Sequence, residues 1–247
     1  RYLYGLATAR DLKKYPLLNL AFQIPFHILR LLDFTYAQNV DQFIANSHTT
    51  AARIKKYYRR DSIVINPPVF LPHVGAKRDS PQKGGFFLAG GRLARAKRYD
   101  IAIRACNKLK LPLKIFGRDF AGHEQQLKAI AGPTIEFMGE VTQDQKADLF
   151  RQAQAYFMCS DQEDFGIVCV ESMSYGTPVI GFRSGGVTET VIDGKTGFLF
   201  DKLTPDSCIS AIKKFQKSNL SPQVCLARAK EFDSSVFIKK IKTLISS

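Results

Sequence analysis

The stretch "SDQEDFGIVCVESMSYG" (160–176) sets two glutamates, Glu163 and Glu171, on either side of an aromatic-glycine pair, with seven residues between them. On one continuous helix that spacing puts both on nearly the same face, where each reads as a solvated or dipole-compensating carboxylate. If a loop instead turns into a helix at Phe165-Gly166, Glu163 belongs to the loop and Glu171 to the first turns of the helix. The two carboxylates then converge on whatever lies before the helix. There they can accept hydrogen bonds from sugar or ribose hydroxyls, beside the open N–H groups of the first turn.

A second stretch, "LAGGRLARAKRYD" (88–100), places Arg92 and Lys97 just after Gly90-Gly91. Paired glycines let a backbone turn sharply or approach a ligand closely. A bidentate guanidinium and a point-charge ammonium beside a helix N-terminus suit a diphosphate. The same loop reads equally as solvated surface on a basic protein. Neither the G-x-x-x-x-G-K-[ST] phosphate loop nor the G-x-G-x-x-G dinucleotide fingerprint occurs. A third stretch, "RSGGVTETVIDGKTGFLF" (183–200), repeats the pattern with Gly185-Gly186 before a helix. Turn chemistry alone accounts for its Asp193-Gly194 and Gly197.

All three stretches follow short apolar runs in a chain that alternates strand and helix patterns from residue 85 onward. "GFFLAGG", "LPLKIFG", "TIEFMG", "AYFMCS", "TPVIGF" and "TGFLF" read as strands. Between and after them lie helical patterns, including "RYDIAIRACNKLK", "GHEQQLKAIAG" ending at Gly132, a Thr-capped "TQDQKADLFRQA" and "TPDSCISAIKKFQ". Continuous apolar strands alternating with helices predict an α/β fold, a Rossmann-like parallel sheet with helices on both faces. Ligands of such sheets bind at the carboxyl ends of the strands, where all three stretches fall.

Upstream, "LLNLAFQIPFHILRLLDFTYA" (17–37) predicts two apolar helices meeting at Pro25. "SHTTAARIKKYYRR" (47–60) predicts a Ser-capped basic helix between the strands "DQFIANS" and "SIVINPPV". Core packing and a solvated charged face explain these segments; an apolar helix beside a basic one also suits a membrane surface. The Pro-, Gly- and charge-rich residues 70–85 read as a linker. The expected domains are 1–75 and 76–247.

The net formal charge of +14 over 247 residues points to an anionic partner: phosphate groups, nucleic acid or an acidic membrane surface. Basic and aromatic residues interleave only at "KKYYRR", so no specific nucleic-acid partner is expected. Five scattered cysteines without C-x-x-C spacing suit buried reduced thiols in a cytoplasmic protein, and the dispersed histidines suggest no metal cluster.

"GGRL…K", "DFGIVCVESMSYGTPVI" and "SGGVTETVIDGKTGFLF", in this order, resemble the nucleotide-sugar-binding half of family-4 retaining glycosyltransferases of the two-domain GT-B fold. "DQFIANSHTTAARIKKYYRRDSIVINPPV" resembles the end of the acceptor-side domain in their mannosyltransferase-like branch. The resemblance implies that Arg92 and Lys97 hold the donor diphosphate and neutralise the leaving group without a metal or other cofactor. It assigns ribose hydroxyls to Glu171. It gives the transferred sugar to Glu163 with backbone N–H groups around Asp164, Phe165 and Gly166. The strand-end glycines Gly117 and Gly139, like Gly90 and Gly91, would approach the nucleotide. A GDP-linked sugar, GDP-mannose, is the implied donor with a UDP-sugar as rival. The implied acceptor is a glycan or lipid-linked precursor, with peripheral membrane contact. Chains of the family begin with a complete acceptor domain, and "RYLYG" resembles a stretch that follows it. The resemblance therefore implies that residues 1–75 are a remnant of that domain, and a truncated module that binds donor without efficient transfer is the alternative.

Overall fold

One helix, α1 (Pro16–Gln38), runs through Pro25 where the sequence predicts two. A proline inside a helix removes one hydrogen bond and crowds the carbonyl four residues back, at a cost of about 3 kcal/mol. The apolar pattern continues across it, and the rings of Phe22 and Phe26 stack at 5.7 Å over the proline turn. That i,i+4 contact joins the two halves. The computed structural model describes residues 16–71 and 85–246, so most of the expected linker at 70–85 lies outside the described residues. The chain divides into two units, Arg1–Ile65 and Asn66–Ser247.

In the first unit, β1 (Phe43–Ala45), α2 (His48–Tyr58) and β2 (Ser62–Val64) form a strand-helix-strand turn with the two strands parallel. Ser47 caps α2 by accepting from the Thr50 N–H at 3.0 Å. Arg60 donates to the carbonyls of Gln38 at 2.9 Å and Val40 at 2.7 Å, satisfying the open carboxyl end of α1. Among the described residues no helix is long and apolar enough to cross a membrane.

The second unit is a six-stranded parallel sheet in the order β5-β4-β3-β6-β7-β8. Its strands are β3 (Phe87–Gly90), β4 (Leu113–Phe116), β5 (Ile135–Gly139), β6 (Tyr156–Met158), β7 (Val179–Phe182) and β8 (Gly197–Phe200). The connecting helices are α3 (Tyr99–Leu109), α4 (His123–Lys128), α5 (Gln143–Gln152), α6 (Ile167–Ser174) and the single turn α7 (Val187–Thr190). After β8 come α8 (Pro205–Lys217), α9 (Pro222–Lys230) and α10 (Ser234–Ile245). Successive strand residues enter opposite cores, as a period of two requires. Phe87, Ile115, Phe157, Ile180 and Phe200 pack beneath α3 and α8. Leu88, Phe116, Tyr156, Val179 and Leu199 pack on the other face with α5, α6 and α9. Each such side chain, fully buried, contributes about 1.5–3 kcal/mol.

Two local differences from the sequence reading have clear causes. The helix expected to end at Gly132 stops at Lys128, because the Asn107 amide clamps the following turn. It donates to the Ile130 carbonyl at 2.8 Å and accepts from the Gly132 N–H at 3.0 Å. The helices α9 and α10, which the sequence reading did not assign, start at capping residues Ser221 and Asp233. Phe232 between them accepts from the Val69 N–H at 3.0 Å, holding the segment after Asn66 against this unit.

Candidate functional site

The sheet order reverses between β3 and β6, since β3 continues to β4 and β5 while β6 continues to β7 and β8. Loops leaving those two strands part in opposite directions and open a crevice at their carboxyl ends. A cavity of about 410 Å³ occupies it, lined by Gly90, Gly91, Arg92, Lys97, Tyr99, Val168 and residues 156–159.

Glycines make this floor possible. The Gly91 N–H donates to the Phe116 carbonyl at 3.0 Å, and the Gly117 N–H to the Gly139 carbonyl at 2.7 Å, so three strand ends form a ledge without side chains. A Cβ on Gly117 would lie 1.8 Å from the Gly91 carbonyl oxygen, and one on Gly90 2.4 Å from the Phe116 ring. From below, the buried Tyr156 hydroxyl donates to the Gly90 carbonyl at 2.7 Å. Burial holds the Tyr156 phenol well above its ordinary pKa, so it remains a donor. Burial also raises Tyr99, reinforced by Cys159 and Glu163 and opposed by Arg92, so this phenol too stays neutral.

Lys97, on the single 3-10 turn Arg95–Lys97, places its Nζ 2.8 Å from Glu163 Oε2, with both side chains largely covered. The Glu163 loop is seated on Gly185-Gly186. The Gly186 N–H donates to the Glu163 carbonyl at 2.7 Å. A Cβ on Gly185 would stand 2.1 Å from that oxygen, and one on Gly186 2.4 Å from the Asp164 carbonyl. The third glycine stretch thus supports the loop that carries the first glutamate.

Loop becomes helix at Phe165-Gly166: Gly166 takes φ 83° as cap and α6 starts at Ile167. The Phe165 ring is buried against Phe232, 5.4 Å between centroids, which leaves only its backbone to face a ligand. Among the described residues the N–H groups of Phe165 and Gly166 find no protein acceptor. Glu171 stands in the second turn of α6, its Oε2 2.8 Å from Lys146 Nζ on α5. That contact is an ion pair without hydrogen-bond alignment, so the buried oxygen has a compensating charge but no donor. It borders a second cavity of about 400 Å³, whose walls include Lys146, Gln143, Ser174, Tyr175 and Phe70. Val168 lines the first cavity and Ile167 the second, so the first turn of α6 borders both. The two glutamates therefore do not share a helix face; each is paired with its own lysine.

Arg92 is exposed at the mouth of the first cavity, its Cζ 5.0 Å from the centre of the Phe120 ring. Sequence reasoning missed Lys146 and Phe120. The Thr142 capping box fixes where α5 begins, but nothing along the chain ties Lys146 to a carboxylate on another helix. Among the described residues no three His, Cys, Asp or Glu side chains are grouped to hold a metal ion. All five cysteines are free and buried.

Comparison with known proteins agrees with this architecture. A D-inositol 3-phosphate glycosyltransferase from Streptomyces avermitilis is 30% identical over 204 residues, covering 71% of this chain and 44% of its own. A protein of the same description from Streptomyces scabiei is 33% identical over 188 residues, covering 64% and 42%. The chain spans less than half the length of these curated relatives. Among solved structures, sucrose-phosphate synthase from Thermosynechococcus elongatus superposes with a TM-score of 0.76 at 20% identity, covering 88% of this chain and 60% of that one. Anabaena HepE, in complex with UDP and glucose, gives 0.70 at 21% identity, covering 84% and 63%. These likenesses share the parallel sheet with helices on both faces that GT-B glycosyltransferases use. The family model for glycosyl transferases group 1 matches residues 75–232, more than half of the chain and every strand of the six-stranded sheet, and the protein belongs to that family.

Proposed function

We propose that the second unit binds a nucleotide sugar across the head of α6 and serves its transfer, with retention at the anomeric carbon, to a glycan or lipid-linked acceptor. The observation that carries this reading is the pair of lysine-clamped glutamates, Glu163 with Lys97 and Glu171 with Lys146, flanking backbone N–H groups of Phe165 and Gly166 that have no acceptor among the described residues. Arg92 and Lys97 meet the diphosphate and stabilise its departure, the charge stabilisation that a metal supplies elsewhere. Glu171 takes the ribose hydroxyls, since a hydroxyl donor would relieve its buried oxygen. Lys146 holds that carboxylate in place. Glu163 and the N–H groups after Asp164 receive the sugar. The complex of the similar Anabaena HepE with UDP and glucose favours a uridine-linked donor over the GDP-mannose suggested by the sequence resemblance.

A calorimetric panel of GDP, UDP, ADP and their sugars tests the reading. Arg92→Ala is expected to weaken the tightest nucleoside diphosphate about 10- to 100-fold, the range of a charge-assisted hydrogen-bonded contact. Lys146→Ala should weaken nucleoside and nucleoside diphosphate alike. Unchanged affinity in Arg92→Ala and Lys97→Ala together would refute the diphosphate assignment. Binding without donor hydrolysis or transfer would identify a binding module.

A membrane-side acceptor is favoured by one feature of α1. Phe26, Arg30, Asp33, Phe34 and Ala37 form its partly buried stripe, while the opposite side exposes Ile24, Ile28, Leu31, Leu32 and Tyr36 without a charge among them. We propose peripheral contact of this face with the cytoplasmic surface of an anionic bilayer. The protein is expected to co-sediment with phosphatidylglycerol vesicles, and the pair Ile28→Asp and Leu32→Asp should release it. Retention of the double variant on vesicles would remove the assignment.

A further inference from the structure

We infer that Phe120 is a positioning residue for Arg92, holding its guanidinium at the mouth of the first cavity before an anion arrives. The inference rests on the reading of Arg92 as a diphosphate ligand.

Phe120 lies in the loop between β4 and α4, is 50% exposed, and belongs to neither hydrophobic core. Its ring meets the Arg92 guanidinium at 5.0 Å, within the range of a cation–π contact. The Arg92 guanidinium makes no hydrogen bond or ion pair among the described residues, so this ring contact is what restrains the side chain. A guanidinium resting on a ring keeps its N–H donors in its own plane, clear of the ring, and available to an oxyanion. A long side chain fixed in advance loses less freedom when the ligand binds.

The loop is built to present the ring. The Leu93 N–H donates to the Arg118 carbonyl at 2.9 Å, tying the loop to the segment that carries Arg92. Asp119 accepts from the N–H groups of Gly122 at 3.1 Å and Glu124 at 2.8 Å. Ala121 and Gly122 both take the left-handed conformation, φ 56° and 70°, which turns the chain back into α4. An alanine there is under local strain, so the turn persists because these contacts hold it.

Calorimetry with GDP or UDP, whichever binds tighter, and the matching nucleoside as control, tests the inference in Arg92→Ala, Phe120→Ala, Phe120→Trp and the Arg92→Ala/Phe120→Ala double variant. Phe120→Ala is expected to weaken the nucleoside diphosphate about two- to five-fold and leave the nucleoside unchanged. Phe120→Trp should restore wild-type affinity, and adding Phe120→Ala to Arg92→Ala should change nothing further. If Arg92→Ala has no effect, the reading of Arg92 as a diphosphate ligand fails and this inference with it. If Arg92→Ala weakens binding and Phe120→Ala does not, this inference alone fails. Equal losses from Phe120→Ala with and without Arg92 would make the ring a direct ligand contact and overturn the positioning role. Should Phe120→Ala not fold, Phe120→Leu keeps the bulk without the π face and is expected to lose the same affinity; wild-type affinity in it would overturn the inference.

Discussion

Replacing Glu163 by glutamine is expected to lower sugar transfer, or donor hydrolysis where no acceptor is supplied, by about 100- to 1000-fold, the range seen when one preorganised polar contact to a developing charge is lost. Nucleoside diphosphate affinity should stay unchanged or rise. The expectation follows from the 2.8 Å pair with Lys97, whose ammonium is shared between the carboxylate and any phosphate that enters the 410 Å³ cavity. Without the carboxylate that charge belongs to the phosphate alone. The free protein should lose about 1–2 kcal/mol, between the limits for exposed and fully buried pairs, because a largely covered ammonium loses its counter-ion. Ligand binding then compensates, so the rise in melting temperature on adding GDP or UDP should be larger in the variant than in wild type. Full transfer by Glu163→Gln would remove the residue from the sugar site. A parallel fall in nucleotide affinity would make it a nucleotide ligand.

Legibility in the sequence followed the range of the interaction concerned. The strands were readable because all but the edge strand β5, which exposes Glu136, are short apolar runs largely buried on both faces, and the sheet inherits its parallel character from the helices between them. The break between Glu163 and Glu171 was readable because Gly166 can take a φ of 83° that an L side chain resists. Pro25 misled because a local rule met a longer pattern: the stacking of Phe22 on Phe26 bridges the proline turn. Lys146 was illegible for the opposite reason. Its partner Glu171 lies on another helix, and only the packing of α5 beside α6 brings the two to 2.8 Å. Gly185-Gly186 was visible as a glycine loop before a helix, but that it seats the Glu163 carbonyl is a property of two loops meeting. Phe120 carried no signal at all, since an exposed aromatic in a loop becomes informative only when its neighbour in space is an arginine.

Two strand-end glycines that look alike in sequence should respond very unequally to the same methyl group. Gly117→Ala is expected to cost about 3 kcal/mol or more, whereas Gly139→Ala should cost about 1–2 kcal/mol from its left-handed φ alone. At Gly117 the φ is 137° and the new Cβ would meet the Gly91 carbonyl at 1.8 Å, a backbone atom that cannot swing aside. At Gly139 the φ is 66° and nothing lies within 4 Å of the added atom. Against a total stability of about 5–15 kcal/mol, the first change removes a large share and the second a small one. For a unit of this size the melting temperature should fall about 6–12 °C or more in Gly117→Ala and about 2–8 °C in Gly139→Ala. Equal shifts would mean that the ledge tolerates a side chain and that close backbone approach is not what these glycines provide. Binding should separate them in the reverse sense. The open space over Gly139 is where a nucleotide would cross the ledge, so Gly139→Ala should stay folded yet lose nucleoside diphosphate affinity. Unaltered affinity in that stable variant would place the nucleotide elsewhere and confine the ligand to the crevice between β3 and β6.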